Sequence, residues 1–294
     1  MKNPFAGIRG IKMLKNELLI KHTSFRIGGY AKYYINVYSR KSLHKILVII
    51  KREKMKYLVI GAGTNLLFSD NGFPGVVIRL CGIFTKIRRE KDFFYCGGGM
   101  LIDTFLRKTC EAGYGGAEFA AGIPGTIGGG IKGNAGAFGE SFSDITEEIT
   151  VIDEKNAERD LTNDKIGFDY RKSKIKNGVI IMSAKIKLFR ANRKDILAAI
   201  RKNLIMRANR QPVGFSAGSF FKNPLPYSAG KLIEECGLKG LEVGDAIVST
   251  RHANWIINRG GAKASDIIRL AKIIKETVKR KKGILLKEEV KILN

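Results

Sequence analysis

The chain has 294 residues, of which 44% are hydrophobic, with 53 Lys and Arg against 27 Asp and Glu, giving a formal net charge of +26 and a pI near 10.0. That length allows one large domain or two to three smaller ones, each with a real core. No apolar run approaches the ~18 residues of a membrane span, and four cysteines without a C-x-x-C pair, beside only three histidines, argue against structural zinc or a disulfide framework. The basic balance alone would suggest nucleic acid. The lysines and arginines, however, are spread along the whole sequence, and the densest run, KETVKRKKG (275–283), closes a predicted helix where cations suit the dipole. The charge therefore reads as a generally basic surface that favours anionic small ligands.

In chain order, residues 1–20 read as a helical lead-in. Residues 42–55 predict a helix, since Leu43, Ile46, Leu47 and Ile50 recur at i, i+3, i+4 and i+7. YLVI (57–60) and GVVIRL (75–80) predict short buried strands on either side of GAGTNLLFSDNG, and FFYCGGG (93–99) predicts another that ends in glycines. DTFLRKTCEAG (103–113) predicts a helix capped by Asp103 and stopped by Gly113. After the glycine-dense stretch GIPGTIGGGIKGNAGAFGE (122–140), EEITVIDE and GVIIMSAKIKLF predict antiparallel strands. Residues 195–209 predict a helix and AGKLIEECG a short one. DAIVST and ANWIINRGG follow as strand and turn. Residues 265–280 form a clear amphipathic helix, with Ile267, Leu270, Ala271, Ile274 and Val278 on one face, and ILLKEEVKIL finishes as a strand. One boundary is expected near residue 200.

The strand YLVI runs into Gly61-Ala62-Gly63, as in a dinucleotide fold. The third glycine of that fingerprint is Leu66 here, and Ser69, Asp70, Asn71, Gly72 and Pro74 form a turn cluster where a helix should start. Glycine lets backbone N–H groups approach a ligand without a Cβ in the way, and successive N–H groups make an anion nest. Two separated glycine loops, 61–65 and 122–139, suit a long ligand with a central pyrophosphate. Tight turns and bulges account for 61–65 alone about equally well, and for 122–139 less well.

Six motifs then occur in one order: GAGTNLLFSDNGFPGVVI, GAEFAAGIPGTIGGGIKGNAGAFGE, FDYRKS, SAGSFFKNP, AGKLIEECGLKG and LLKEEVKIL. Together they resemble the UDP-N-acetylenolpyruvoylglucosamine reductase family, from about residue 16 to the end. The resemblance implies an α+β chain. It would have an FAD-binding fold of the vanillyl-alcohol-oxidase (PCMH) type in two subdomains (1–80 and 81–200) and a smaller α+β substrate-binding domain (201–294). It implies non-covalent FAD, with NADPH as co-substrate. Gly61, Ala62, Gly63, Thr64, Asn65 and Leu66 would line the cofactor from the first loop. Gly122, Ile123, Pro124, Gly125, Thr126, Gly128 and Gly129 would line it from the second, NAGAFG (Asn134, Ala135, Gly136) would complete the wall, and TSFRIGG (23–29) would join them.

The family reaction passes hydride from NADPH to the flavin and on to C3 of the enolpyruvyl group, while a protein acid protonates C2. The resemblance makes Ser219, in AGSFFKNP, that acid. On the residues alone a serine between Gly218 and Phe220 reads more readily as a turn cap. Arg171, in FDYRKS, matches the family's arginine, whose planar fork can pair a carboxylate bidentately. Glu289, in LKEEV, matches the family's C-terminal glutamate, with Glu288 as its neighbour and rival. Tyr170, Arg210, Asn223 and His252 are carried over as substrate contacts, His252 reading equally as a polar turn residue.

Gly133, Phe138 and Trp255 depart from the family's usual residues, and no long insert lies between Leu161 and Arg210, which implies the family's shorter branch. The expected substrate is UDP-N-acetylglucosamine enolpyruvate. No metal, nucleic acid or membrane insertion is expected, and a monomer is. With no apolar leader visible in MKNPFAGIRG, a cytoplasmic location is expected. The alternatives are another FAD oxidase or dehydrogenase of the same fold, and a basic nucleic-acid-binding protein.

Overall fold

The computed structural model describes residues 3–293. The chain divides into two compact units, and each is discontinuous in sequence: residues 1–15, 32–62 and 75–206 in the first, residues 16–31, 63–74 and 207–294 in the second. One crossing falls inside the first glycine loop, between Ala62 and Gly63.

The first unit has two cores. One lies under a four-stranded sheet with the order Ile11–Leu18, Tyr30–Val37, Phe73–Leu80, Tyr57–Ile60. Tyr57–Ile60 and Phe73–Leu80 run parallel, so the connection between them is a crossover that contains GAGTNLLFSDNG. The helix Arg40–Arg52 buries Leu43, Ile46, Leu47 and Ile50 into this core, the face its periodicity predicts. The other core belongs to a five-stranded antiparallel sheet with the order Glu158–Thr162, Thr146–Ile152, Ile180–Lys187, Phe93–Gly97, Ile87–Glu90. EEITVIDE and GVIIMSAKIKLF are neighbours in it, as expected. The helix Ile102–Glu111 packs Phe105 and Leu106 into the same cluster.

Three expectations need correction. The first residues do not form a helix: Ile11–Leu18 is a strand, because pairing within the four-stranded sheet overrides a weak helical preference. Asp103 is not a cap. The N-cap is Leu101, without a side-chain hydrogen bond, and Asp103 sits in the first turn, where its charge suits the dipole. The glycine-dense stretch is not loop throughout, since Ile127–Lys132 is a short helix capped by Thr126 Oγ1, which accepts the Gly129 N–H at 3.3 Å.

The second unit is built around the helix Ala264–Lys282, whose buried Ile267, Leu270, Ala271, Ile274 and Val278 meet Leu232 and Ile233 of the helix Ala229–Glu235 in one apolar cluster. Each of these Ile, Leu and Val side chains removed from water contributes roughly 1.5–3 kcal/mol, and Ala271 less. Gly283 ends the helix at φ 71° with its N–H on the Lys279 carbonyl, a left-handed stop that glycine adopts without strain. Lys291–Leu293 pairs in parallel with Leu66–Phe68, so the predicted final strand is confined to its last three described residues.

The start of Ala264–Lys282 is held from a distant part of the sequence. Asp70, in the turn cluster of the first loop, accepts the Ala264 N–H at 2.7 Å and the Ser265 N–H at 3.1 Å, one on each carboxylate oxygen. A helix leaves its first N–H groups without intrahelical partners, and an anion there also meets the positive end of the dipole. Asp70→Ala is expected to lower stability by about 1–2 kcal/mol, seen as a lower urea midpoint with an unchanged m-value, and Asp70→Asn is expected to lose less.

Candidate active site

In the first unit the two glycine loops meet. A Cβ on Gly61 would stand 2.6 Å from Thr126 Oγ1, so only glycine lets the end of YLVI approach GIPGTIGG this closely. The second loop is fixed from beneath by another glycine contact: the Gly128 N–H donates to the Gly98 carbonyl at 2.8 Å, and a Cβ on Gly128 would meet that oxygen at 2.9 Å. The Gly128, Gly129, Asn134 and Ala135 N–H groups are all taken by protein acceptors. These residues shape the loop rather than offer N–H groups from it. Ile123 likewise bonds back to Ala120 within its turn, Gly125 accepts from Ile102, and Gly122 and Pro124 are exposed. Gly136 pairs with Ser141 in a tight hairpin.

Arg171 sits at φ 54° in a two-residue turn closed by reciprocal bonds between Asp169 and Lys172, at 2.9 and 3.1 Å. Its guanidinium lies 5.7 Å from the ring of Tyr170. Asn134, buried, anchors this turn: Nδ2 donates to the Asp169 carbonyl at 3.1 Å and Oδ1 accepts the Ser143 N–H at 3.0 Å. The structure thus links NAGAFG to FDYRKS, which the sequence reading kept apart.

In the second unit, Gly63 at φ 67° is placed so that a Cβ would collide with the His22 carbonyl oxygen. The Ser24 N–H donates to the Gly63 carbonyl at 3.1 Å, while Ser24 Oγ is buried without a hydrogen-bond partner among the described residues. Burying a hydroxyl in that state is costly, and Ser24, within TSFRIGG, was not singled out from sequence.

Ser219 and Glu289 are brought together. Ser219 pairs with Trp255 and Phe221 with Glu288 as antiparallel bridges. Between them, the Phe220 N–H donates to the Asn254 carbonyl and the Phe220 carbonyl accepts the Glu289 N–H, each at 2.8 Å. Asn65, from GAGTN, continues the array: its Nδ2 donates to the Glu289 carbonyl at 3.2 Å and its own carbonyl accepts the Lys291 N–H at 3.1 Å. Thr64 adjoins it, and Leu66 opens the parallel pairing with Lys291. Glu288, the rival of Glu289, is held by Lys275 at 2.7 Å.

The other carried-over residues are less concentrated. Asn223 Oδ1 accepts the Ala229 N–H at 3.0 Å, at the start of the helix Ala229–Glu235 that Ser228 caps. Arg210 is the exposed last residue of the helix Arg193–Arg210. His252 is half-buried, its Nδ1 accepts the Asn254 N–H at 3.2 Å, and burial pushes its pKa down, with Lys239 acting in the same direction. With Nδ1 accepting, the ring proton lies on Nε2.

Residues 211–293 match the model of the UDP-N-acetylenolpyruvoylglucosamine reductase C-terminal domain, and residues 31–159 match an FAD binding domain. A UDP-N-acetylenolpyruvoylglucosamine reductase of Clostridioides difficile (strain 630) is 40% identical over 280 residues, covering 95% of this chain and 92% of the relative. One of Geobacter metallireducens is 41% identical over 290 residues, covering 98% and 96%. The chain belongs to the UDP-N-acetylenolpyruvoylglucosamine reductase family. The solved family member from Thermus caldophilus superposes with a TM-score of 0.84 at 33% identity, over 97% of this chain and 99% of that one. Cholesterol oxidase from Brevibacterium sterolicum, 13% identical with a TM-score of 0.50 over 64% of this chain and 39% of its own, shares the fold alone. The chain is thus an FAD-dependent oxidoreductase with the FAD-binding fold of the vanillyl-alcohol-oxidase type, and as such is an α+β reductase family member.

The residues present fit FAD. Gly61 and Gly63 let the backbone of the first loop pass against Thr126 Oγ1 and the His22 carbonyl, where a Cβ would clash, and Ser24 Oγ is a buried hydroxyl in want of an acceptor or donor. Gly61→Ala is expected to push Thr126 aside and weaken FAD retention at least tenfold, about 1.4 kcal/mol. The check is the flavin-to-protein absorbance ratio after gel filtration, with the far-UV circular dichroism unchanged.

Proposed function

We propose that the chain reduces UDP-N-acetylglucosamine enolpyruvate to UDP-N-acetylmuramate at the expense of NADPH, as a cytoplasmic, monomeric step in peptidoglycan biosynthesis. The observation that supports this reading is the backbone hydrogen bond from the Glu289 N–H to the Phe220 carbonyl, next to Ser219, in a chain of this family. When bound, FAD supplies the two-electron chemistry, accepting hydride from NADPH and yielding it to C3 of the enolpyruvyl group.

The protein's own task is the other atom. As hydride arrives at C3, the electron pair of the C2–C3 double bond moves onto C2 and into the adjoining carboxylate. Ser219 gives its hydroxyl proton to C2, and the pair forms the new C2–H bond. An alcohol is a weak acid, so the alkoxide left on Ser219 must be stabilised or reprotonated at once. Glu289, on the adjoining segment, is assigned to assist that protonation or polarise the substrate. Arg171 is assigned to the substrate carboxylate, where a fixed cation stabilises charge as it builds. A rigid turn anchored by Asn134 spares it reorganisation. Tyr170, Arg210 and Asn223 are assigned to the sugar and phosphates. The excess of basic side chains suits three ligands that are all anions.

Ser219→Ala is the test. NADPH should still bleach the flavin at a rate within about twofold of the parent, while recovery of the flavin on adding the enol ether should slow by about 10²–10⁴-fold, the usual worth of a positioned acid. Recovery at the parental rate would remove Ser219 from the reaction.

A further inference from the structure

The extended segment that carries Ser219 makes isolated bridges, to Trp255 at Ser219 and to Glu288 at Phe221, and its pairing is irregular. In a regular strand the N–H and carbonyl of one residue point to the same neighbour, and successive residues alternate. Here the N–H groups of both Phe220 and Phe221 point to Asn254: the Phe220 N–H donates to its backbone carbonyl at 2.8 Å and the Phe221 N–H to its Oδ1 at 2.9 Å. The Phe220 carbonyl turns the other way, to Glu289. Two consecutive N–H groups on one side are the signature of a bulge, a device that re-aims a neighbouring side chain. Phe220 and Phe221 are 0% and 1% exposed, so the irregular pairing lies in the core.

Asn254 is what satisfies the bulge. Its Nδ2 donates to the Phe221 carbonyl at 2.8 Å, so its carboxamide closes a two-point pair with the Phe221 backbone, as a second strand would. The side chain is 4% exposed, and its own N–H is held by His252 Nδ1. Every polar atom of Asn254 thus has a protein partner.

We propose that Asn254 is a positioning residue for Ser219: its carboxamide fixes the bulge at Phe220 and so the direction in which Ser219 presents its hydroxyl. This rests on the assignment of Ser219 as the acid for C2. Asp at this position is the informative variant. An aspartate keeps the acceptor for the Phe221 N–H but sets a second anionic oxygen against the Phe221 carbonyl. Protonation restores the donor, and burial raises the pKa at which that happens.

The experiment uses FAD-loaded full chain and follows the two half-reactions separately for Asn254→Asp, Asn254→Ala, Ser219→Ala and the double variant Ser219→Ala/Asn254→Asp. Expected for Asn254→Asp is flavin content and NADPH bleaching within about twofold of the parent, with enol-ether-dependent recovery slowed about 10–100-fold at pH 8 and partly restored toward about pH 5.5. In the Ser219→Ala background the same substitution should add less than about twofold, because it acts through a hydroxyl that is gone. Losses that multiply in the double variant, or recovery unchanged in Asn254→Asp, overturn the proposal while leaving Ser219 its role. If Ser219→Ala alone recovers at the parental rate, the functional assignment falls and the proposal with it. If Asn254→Ala cannot be obtained folded, the Asp variant carries the comparison by itself.

Discussion

Phe220 donates its N–H to Asn254 and receives at its carbonyl the N–H of Glu289, each at 2.8 Å. The side chain of Phe220 takes no part in chemistry, yet the backbone of this one residue joins three separate stretches of sequence. Residues 219–221, 254–255 and 287–289 meet here, and Asn65 extends the array to the first glycine loop. Backbone hydrogen bonds at a buried site are expensive to leave unmade, so the register between Ser219 and Glu289 is stiffly set. The apolar side chains of Phe220 and Phe221 seal the same strand into the core of the second unit, which keeps water from competing for these bonds. Fixed direction is what a poor acid such as serine needs most, since its pKa gives it no advantage.

Glycine plays an equally mechanical part in the first unit. Gly61 and Gly128 are required because Thr126 and the Gly98 carbonyl stand where a Cβ would be. The expectation of a nest of free N–H groups along the second loop is too simple, since several of those donors are already bonded within the protein. The short helix Ile127–Lys132 takes up part of that stretch, so the glycines permit packing first and ligand approach second. Asn134 shows the same economy: expected as part of the cofactor wall, it anchors the turn that carries Arg171.

Much of this fold is legible in the residues. The period of Leu43, Ile46, Leu47 and Ile50, and that of Ile267 to Val278, each name the face that is buried, and Gly283 stops its helix for the reason its position suggests. The departure from the Rossmann pattern at Leu66 and the turn cluster after it is real, for Leu66–Phe68 is a strand. What periodicity could not yield is long-range. Asp70 as the anchor of a helix that starts 194 residues later, the pairing that makes Ile11–Leu18 a strand, and the meeting of Gly61 with Thr126 depend on which distant segments fold together. The bulge at Phe220 is in the same class. Nothing in the sequence around Phe220 signals it, and only the structure names Asn254 as the group that satisfies it.

The most direct measurement is the visible spectrum of the purified chain, followed without oxygen as NADPH and then UDP-N-acetylglucosamine enolpyruvate are added. A flavin spectrum that NADPH bleaches and the enol ether restores, with UDP-N-acetylmuramate formed in equal amount, is the predicted result. A flavin that NADPH bleaches and the enol ether leaves bleached would contradict the assigned substrate, and a colourless chain that takes up no added FAD would contradict the reading of both glycine loops.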